Sequence, residues 1–395
     1  MPRINNNGAG RAIPAVPVLA LDAFGGAPAT LPALDDAPAV QQVSSGRIAI
    51  GMALRALGVG PGDRVLLPAY HSLSMIPPVH WRGAEAVFYR VHPDTTVDLD
   101  DVARKIGPGV KAIVATHFFG FPQALGALRA LCDAHGVGLV EDCAHCFFGE
   151  HDGVAVGSSG DYAIGSSMKF FPIYEGGCLA SNRHRLDAVT LRGAGAGFEA
   201  KAMLATLETS FQHGRLPLLR AALRPALAVK DALWNAAKKR RPQAQRALTP
   251  DSSDSGFGFD PWWRERRSSL FSRLVLRLAS RERIVARRRA NYLRLARELN
   301  ALPGCRPLYA ALPDGVCPWQ FPLLFDAPEP LFARLVALGA PVIRFGRPLA
   351  PPVDAALCAH GAAFSERVLA LPCHQELSDA ELSWIIGRVR EAATA

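Results

Sequence analysis

A chain of 395 residues with 49% hydrophobic content can bury a sizeable core and divides most simply into two domains. No stretch reaches the roughly 18 uncharged apolar residues of a membrane span. The opening Met1-Pro2-Arg3-Ile4-Asn5-Asn6-Asn7 has no basic segment leading into an apolar core, so a cleaved signal is not expected and the cytoplasm is the expected compartment. The net charge of +9 is uneven, with 21 Lys/Arg against 8 Asp/Glu in residues 191–290, so the rest of the chain is acidic.

Residues 1–40 read as an N-terminal arm. Val43-Ser44-Ser45-Gly46-Arg47-Ile48 then leads from small polar residues into an apolar-periodic stretch (Ile48, Met52, Leu54, Leu57). The spacing predicts a helix over about 47–58, whose free N–H groups and positive dipole end would face an anion. Ser44 or Ser45 serving only as an N-cap is the simpler alternative. Short apolar runs at 64–67, 86–89, 112–115, 138–141, 162–164 and 178–180 read as strands. They alternate with helix-like stretches at about 98–106, 123–135 and 184–192. The alternation predicts an α/β fold with a mainly parallel sheet and helices on both faces, and ligands then lie beyond the strand ends.

The run 138–141 ends in Glu141-Asp142. Lys169 follows in Gly165-Ser166-Ser167-Met168-Lys169-Phe170-Phe171-Pro172-Ile173-Tyr174-Glu175-Gly176-Gly177. A strand-end carboxylate and a lysine in a Ser/Gly-rich turn are what pyridoxal phosphate requires of a protein. The amine forms a Schiff base with the cofactor, and the carboxylate keeps a proton on the pyridine nitrogen. With the helix N-terminus and the Ser166 hydroxyl, the chain offers separate seats for phosphate, ring nitrogen and aldehyde.

Rival motifs are weaker. Ser166-Ser167-Met168-Lys169 is formally S-x-x-K, but no K-T-G element accompanies it. Cys143 and Cys146 flank His145, yet no second ligand pair at zinc spacing follows, so no metal is expected. A Cys–His nucleophile three residues or fewer apart on a strand exit rarely has catalytic geometry. The eight cysteines are read as reduced core residues.

The motif order resembles the DegT/DnrJ/StrS-type sugar aminotransferases. It runs from Ser45-Gly46 through Gly62-Asp63-Arg64-Val65-Leu66-Leu67-Pro68, Thr116-His117-Phe118-Phe119-Gly120-Phe121-Pro122 and Glu141-Asp142-Cys143-Ala144-His145 to Lys169 with Glu175-Gly176-Gly177. Val368-Leu369-Ala370-Leu371-Pro372-Cys373-His374 with Leu377-Ser378-Asp379-Ala380-Glu381-Leu382 continues it near the C-terminus. The likeness covers about 41–192 well and about 268–395 more loosely. It implies fold type I: a large domain with a mainly parallel seven-stranded-type sheet, and a smaller α+β C-terminal domain. It also implies Lys169 as Schiff-base lysine, Asp142 as partner of the ring nitrogen and His145 near the ring oxygen. The Arg47 and Ile48 amides, with Ser45, Gly46 and Ser166, would hold the phosphate. The implied reaction moves an amino group from glutamate onto a nucleotide-linked keto-sugar in a homodimer.

The chain departs from the family pattern in places. The ring-stacking aromatic expected four residues after Pro68 is replaced by Ser72, leaving Tyr70 or His71 for that role. The segment by which a partner subunit reaches the phosphate is not recognisable, and Trp262-Trp263-Arg264-Glu265-Arg266-Arg267 occupies its approximate place. Three other readings stay open: a lyase or dehydratase on the same cofactor groups, although the family's sugar dehydratases replace the lysine by histidine and Lys169 argues against that; a lipid or polyketide carbonyl as substrate, favoured by the rebuilt 195–267 region; and, if these changes cost cofactor binding, a cofactor-free interaction protein.

Residues 195–267 read as a basic insertion, and 215–246 within it carry nine basic side chains with Asp231 as the sole acid. Leu223, Leu227, Val229, Leu233 and Trp234 interleave with Arg224, Lys230 and Lys238-Lys239-Arg240-Arg241. A solvated helical hairpin is one reading. A basic amphipathic helix on an anionic membrane surface, which would make the protein peripheral at the inner face, is another. No nucleic-acid recognition module accompanies the charge. Residues 247–260 read as a mobile loop. Residues 281–299 predict one long helix leading into the C-terminal domain at 268–395.

Overall fold

The computed structural model describes residues 13–27, 30–238, 250, 257–300 and 302–394. The short apolar runs assemble into one sheet from β1 (Ala39–Val43), β2 (Arg64–Pro68), β3 (Glu85–Tyr89), β4 (Val110–Thr116), β5 (Gly138–Asp142), β8 (Tyr162–Gly165) and β9 (Gly177–Ser181). A two-stranded ribbon, β6 (Glu150–His151) with β7 (Val154–Ala155), interrupts the chain between β5 and β8. The strand order is β1-β9-β8-β5-β4-β2-β3. The pairs from β3 across to β8 are parallel, while β9 runs antiparallel to both β8 and β1.

Burial explains why the central strands are continuous apolar runs. Ala112, Ile113, Val114 and Ala115 of β4 and Leu139 and Val140 of β5 are fully enclosed, as expected where helices cover both faces of a parallel sheet. Helices α1 (Gly46–Ala56), α2 (Ile76–Trp81), α3 (Leu99–Lys105) and α4 (Gly126–His135) connect the parallel strands. The Asp98 side chain accepts the Asp101 amide to start α3, and Gly136 ends α4 at φ 64°, a conformation that favours glycine.

The second half of the chain begins with α5 (Ala196–Gln212), α6 (Pro217–Lys238), α7 (Leu270–Leu278) and α8 (Arg281–Leu299). An antiparallel sheet follows, formed by β10 (Cys305–Pro307), β11 (Gln320–Phe325) and β12 (Val368–Pro372). Helices α9 (Pro328–Ala337), α10 (Ala359–Arg367) and α11 (Asp379–Thr394) complete this half. Leu295 and Leu299 of α8, Phe321 and Leu323 of β11, Leu369 and Leu371 of β12, and Ile385 and Val389 of α11 share its core.

Two elements differ from the sequence reading. The stretch 184–192 is not a helix. The Ser181 hydroxyl accepts the Arg183 and His184 amides as β9 ends, and extended backbone at Arg192 pairs with the Glu265–Arg267 segment. The strand β1 was not expected, because its polar centre Gln41-Gln42 lies on a half-buried edge. The basic region forms helices, and Leu223 and Leu227 of α6 pack against the core containing Leu207, Phe211 and Leu276. Residues 239–249 and 251–256, which include Lys239-Arg240-Arg241 and most of the expected mobile loop, lie outside the described residues.

Candidate active site

Strand alternation divides the work of Glu141 and Asp142, since neighbouring side chains point to opposite faces. Glu141 accepts the amides of Gly157 (2.9 Å), Ser159 (2.5 Å) and Gly160 (2.6 Å) and faces His117 Nε2 at 3.1 Å. Burial raises its pKa, but His117 and the amides outweigh that and hold it below the usual carboxylate range. Its oxygens are therefore committed to the fold. Glu141 also lies with His117 and Cys143 in a buried group whose ligand atoms are within 4.8 Å of one another.

Asp142 ends β5 opposite Thr116 of β4. It accepts the Ala144 amide at 2.9 Å and the Thr116 hydroxyl at 3.2 Å. Burial pushes its pKa up, offset in part by the Ala144 amide, Lys169 and Thr116.

Lys169 sits in the turn after β8, its amide bonded to the Ser166 carbonyl at 3.0 Å. Burial lowers its pKa to about 8, with Arg47 acting in the same direction and Asp142 against it. Its Nζ lies 4.5 Å from the centre of the Trp319 ring. That ring in turn stacks on His145, with centroids 3.8 Å apart. Burial, then the charge of Lys169, keeps the His145 imidazole well below its ordinary pKa and therefore neutral. Its Nδ1 is buried with no hydrogen-bond partner among the described residues.

The N-terminus of α1 meets the ends of β8 and β9. The Ser45 hydroxyl accepts the Ile48 amide at 3.3 Å, so Ser45 is the N-cap. A Cβ on Gly46 would lie 3.2 Å from the Gly165 carbonyl and 3.5 Å from the Ser166 Cβ, which places Ser166 beside the helix start. A Cβ on Gly177 would fall 2.2 Å from the Ser45 carbonyl carbon, a contact only glycine permits. The Arg47 guanidinium donates to the Gly258 carbonyl. The hydroxyls of Ser44 and Ser167 are buried without partners among the described residues.

Tyr70 and His71 are both enclosed. Tyr70 packs among Phe118, Phe119, Phe345 and Phe364. His71 Nδ1 lies 2.9 Å from the Ala69 carbonyl, its Nε2 accepts the Ala350 amide at 3.2 Å, and its ring stacks on Phe88. The Ser72 hydroxyl accepts the Ser74 amide in its own turn. The aromatic face beside the lysine is Trp319, which sequence reasoning missed. It enters from the residue just before β11, about 150 residues downstream of Lys169, and no local motif marks it. Two further residues had no role assigned from the sequence. Glu175 is buried and accepts the Ser268 and Ser269 hydroxyls and the Ser269 amide, tying the loop after Lys169 to the start of α7. The other is Arg288. The Trp262–Arg267 segment packs on its own chain, with Trp263 buried against Phe198 and Arg267 donating to the Leu191 carbonyl.

A mainly parallel α/β sheet with a lysine, a carboxylate and a helix N-terminus gathered at its strand ends defines a fold type I pyridoxal-phosphate enzyme. The family is more specific: the chain belongs to the DegT/DnrJ/EryC1/StrS aminotransferase family, whose model matches residues 33–234. It is 36% identical over 143 residues to the GDP-perosamine synthase of Vibrio cholerae, covering 35% of this chain and 39% of that protein. It is 32% identical over 261 residues to the dTDP-3-amino-3,4,6-trideoxy-alpha-D-glucose transaminase of Streptomyces venezuelae, covering 60% of this chain and 65% of that protein. The chain thus aligns with less than two thirds of either curated relative. The crystal structure of the aminotransferase TlmJ from Streptoalloteichus hindustanus superposes with a TM-score of 0.61 at 26% identity, covering 90% of this chain and 86% of that one.

Family membership brings pyridoxal 5′-phosphate as cofactor, and the residues present fit it. Burial brings the lysine pKa down to about 8, the buried His145 Nδ1 and Ser44 and Ser167 hydroxyls lack partners among the described residues, and the start of α1 lies beside Gly165 and Ser166.

Proposed function

We propose that this chain is a pyridoxal-phosphate-dependent aminotransferase that moves an amino group, with glutamate as donor, onto a keto-sugar nucleotide or a related ketone. The observation that carries the reading is the convergence of Lys169, Asp142, His145 and the start of α1 at one end of the sheet. Bound there, the cofactor supplies an electron sink for charge developing on the substrate carbon. Lys169 Nζ anchors it, and once freed takes and returns a proton at that carbon. Asp142 keeps a proton on the ring nitrogen, His145 Nδ1 offers a neutral partner to the ring oxygen, and the Gly46–Ile48 amides with Ser166 seat the phosphate. The nucleotide-sugar names of the relatives support the substrate class. Purified protein should be yellow. Mass spectrometry of mixtures of glutamate with GDP- or dTDP-linked keto-sugars should show the amino-sugar, and failure across ring ketones would sink the reading.

Three features of organisation belong to the same proposal. The chain divides into an arm (1–40), a large cofactor domain (41–194), a basic region (195–267) and a small domain (268–395). It works as a cytoplasmic homodimer with sites near the interface. Support comes from Leu270, Leu274 and Leu278, which stand 46–57% exposed at four-residue spacing along α7. Among the described residues no helix is long and apolar enough to cross a membrane. The α6 helix rests peripherally on anionic lipid, a reading favoured by Leu218 (85% exposed) and Leu219 beside the exposed Arg220 and Arg224.

A further inference from the structure

Arg288 lies on α8, far from the lysine in sequence, yet it is fully buried. Its Nη2 donates to the Lys169 carbonyl at 2.8 Å. Its Nη1 donates to the Pro318 and Trp319 carbonyls, both at 3.1 Å. Its Nε donates to Gln375 Oε1 at 2.8 Å, and Gln375 Nε2 donates to the Phe170 carbonyl at 2.8 Å. The guanidinium lies over the Phe170 ring, 4.5 Å from its centre. No carboxylate among the described residues forms an ion pair with it. A buried cation held only by carbonyl and amide oxygens is costly, since desolvation is not offset by an opposite charge. Here the planar fork binds three separate chain segments at once, a task that suits guanidinium and not ammonium.

We propose that Arg288 is a positioning residue for Lys169, fixing the lysine backbone and the Trp319 backbone in one register so that the amine rests on the Trp319 ring. Both neighbours of the arginine matter to the amine: one segment carries it and the other carries the ring in contact with it. Asn291, one turn further along α8, donates to the Cys373 and His374 carbonyls and holds the segment that presents Gln375. The charged and titratable groups that act on the amine are Asp142 from β5, Arg47 from α1 and His145 from the turn after β5. None of them contacts Arg288 directly, so a change at Arg288 reaches Lys169 by moving it among them.

The proposal rests on Lys169 being the reactive lysine, and its test uses cofactor-free protein so that the two can fail separately. Lys169 is acetylated across a pH series with peptide mass spectrometry as readout, alongside thermal melting. Wild type should react with a midpoint near 8. Arg288→Lys should move the midpoint upward by about one pH unit or more, because loosening the two segments lets water reach the amine, and burial, the largest influence on it, outweighs the lost contact with the Trp319 ring. Arg283→Lys, on the same helix but bonded to Glu376 and Asp22, should lower the melting temperature and leave the midpoint in place. If Arg288→Lys does not fold, Gln375→Ala should give a smaller shift in the same direction. A destabilised Arg288 variant with an unmoved midpoint, or no shift in Gln375→Ala where it alone folds, would overturn the proposal.

Discussion

The Nζ of Lys169 lies over the Trp319 ring, 4.5 Å from its centre. The ring favours the ammonium through its quadrupole, while burial and the Arg47 charge favour the neutral amine, and burial dominates, giving a pKa of about 8. At pH 7.5 the neutral fraction is roughly two hundredfold higher than for an ordinary lysine, which suits an amine that must attack an aldehyde and later accept a proton.

Lys169→Ala should abolish the borohydride-trapped cofactor adduct, and an adduct persisting on the variant would place the lysine elsewhere. Lys169→Met gives a second readout on cofactor-free protein. The folded-state pKa lies below the unfolded value, so the unfolded chain binds more protons between about 8 and the ordinary lysine pKa of roughly 10.4, and wild-type stability rises with pH there. Lys169→Met should therefore melt above wild type at pH 7, with the gap closing as pH rises through that window.

Asp142→Asn should retain cofactor and lose turnover by about a hundredfold or more, because a neutral amide does not hold the ring-nitrogen proton. Thr116→Val removes one hydrogen bond to the same carboxylate, worth about 1 kcal/mol, and should cost far less. Near-normal activity in Asp142→Asn would mean another acid faces the ring. Glu141 is a poor candidate, since its oxygens are held by three amides and His117.

Much of this was legible because it is local. The central strands are continuous apolar runs, Asp142 falls at a strand end, and Lys169 sits in a Ser/Gly turn, so pattern and chemistry coincide within a few residues. Residues 281–299 read as a helix and form one over that span. What failed was non-local. Residues 184–192 read as helical, but hydrogen bonds to the Ser181 hydroxyl at one end and the Glu265 carbonyl at the other hold them as an irregular segment with a turn at Leu186–Val189. Trp319 and Arg288 reach the lysine only through tertiary packing, so no motif near Lys169 announces them. Tyr70 and His71 looked available as aromatic neighbours of Ser72, and the packing of the sheet encloses both.

Glu175 tests the strut behind the catalytic loop. Glu175→Ala leaves the Ser269 amide and two hydroxyls without their acceptor and should cost about 2–4 kcal/mol in chemical denaturation. Glu175→Gln keeps the oxygen and removes the charge. Burial raises the folded-state pKa of Glu175, against the partial opposition of the Ser269 amide and the neighbouring hydroxyls. Wild type therefore loses stability as pH rises through that pKa, and the glutamine variant does not. The glutamine variant should gain on wild type from pH 4 to pH 7 in thermal melts, and parallel curves would refute the assignment.

The last prediction separates two uses of the exposed apolar surface. Leu270, Leu274 and Leu278 form one stripe on α7, and Leu218 and Leu219 lie on α6 among arginines. Leucines recurring every fourth residue along one helix suit burial against a second copy, whereas the pair Leu218 and Leu219 beside Arg220 and Arg224 suits an anionic surface. Leu274→Asp introduces a carboxylate into the stripe, and light scattering should then report monomer where wild type is a dimer. The double variant Leu218→Asp with Arg224→Glu changes only exposed positions and should remain dimeric. Its flotation with phosphatidylserine-containing vesicles should fall severalfold, with no change for neutral vesicles. A monomeric wild type with full turnover would end the dimer reading, and unchanged flotation of the α6 variant would end the membrane one. Because the two variants lie on different helices, each outcome bears on one reading alone.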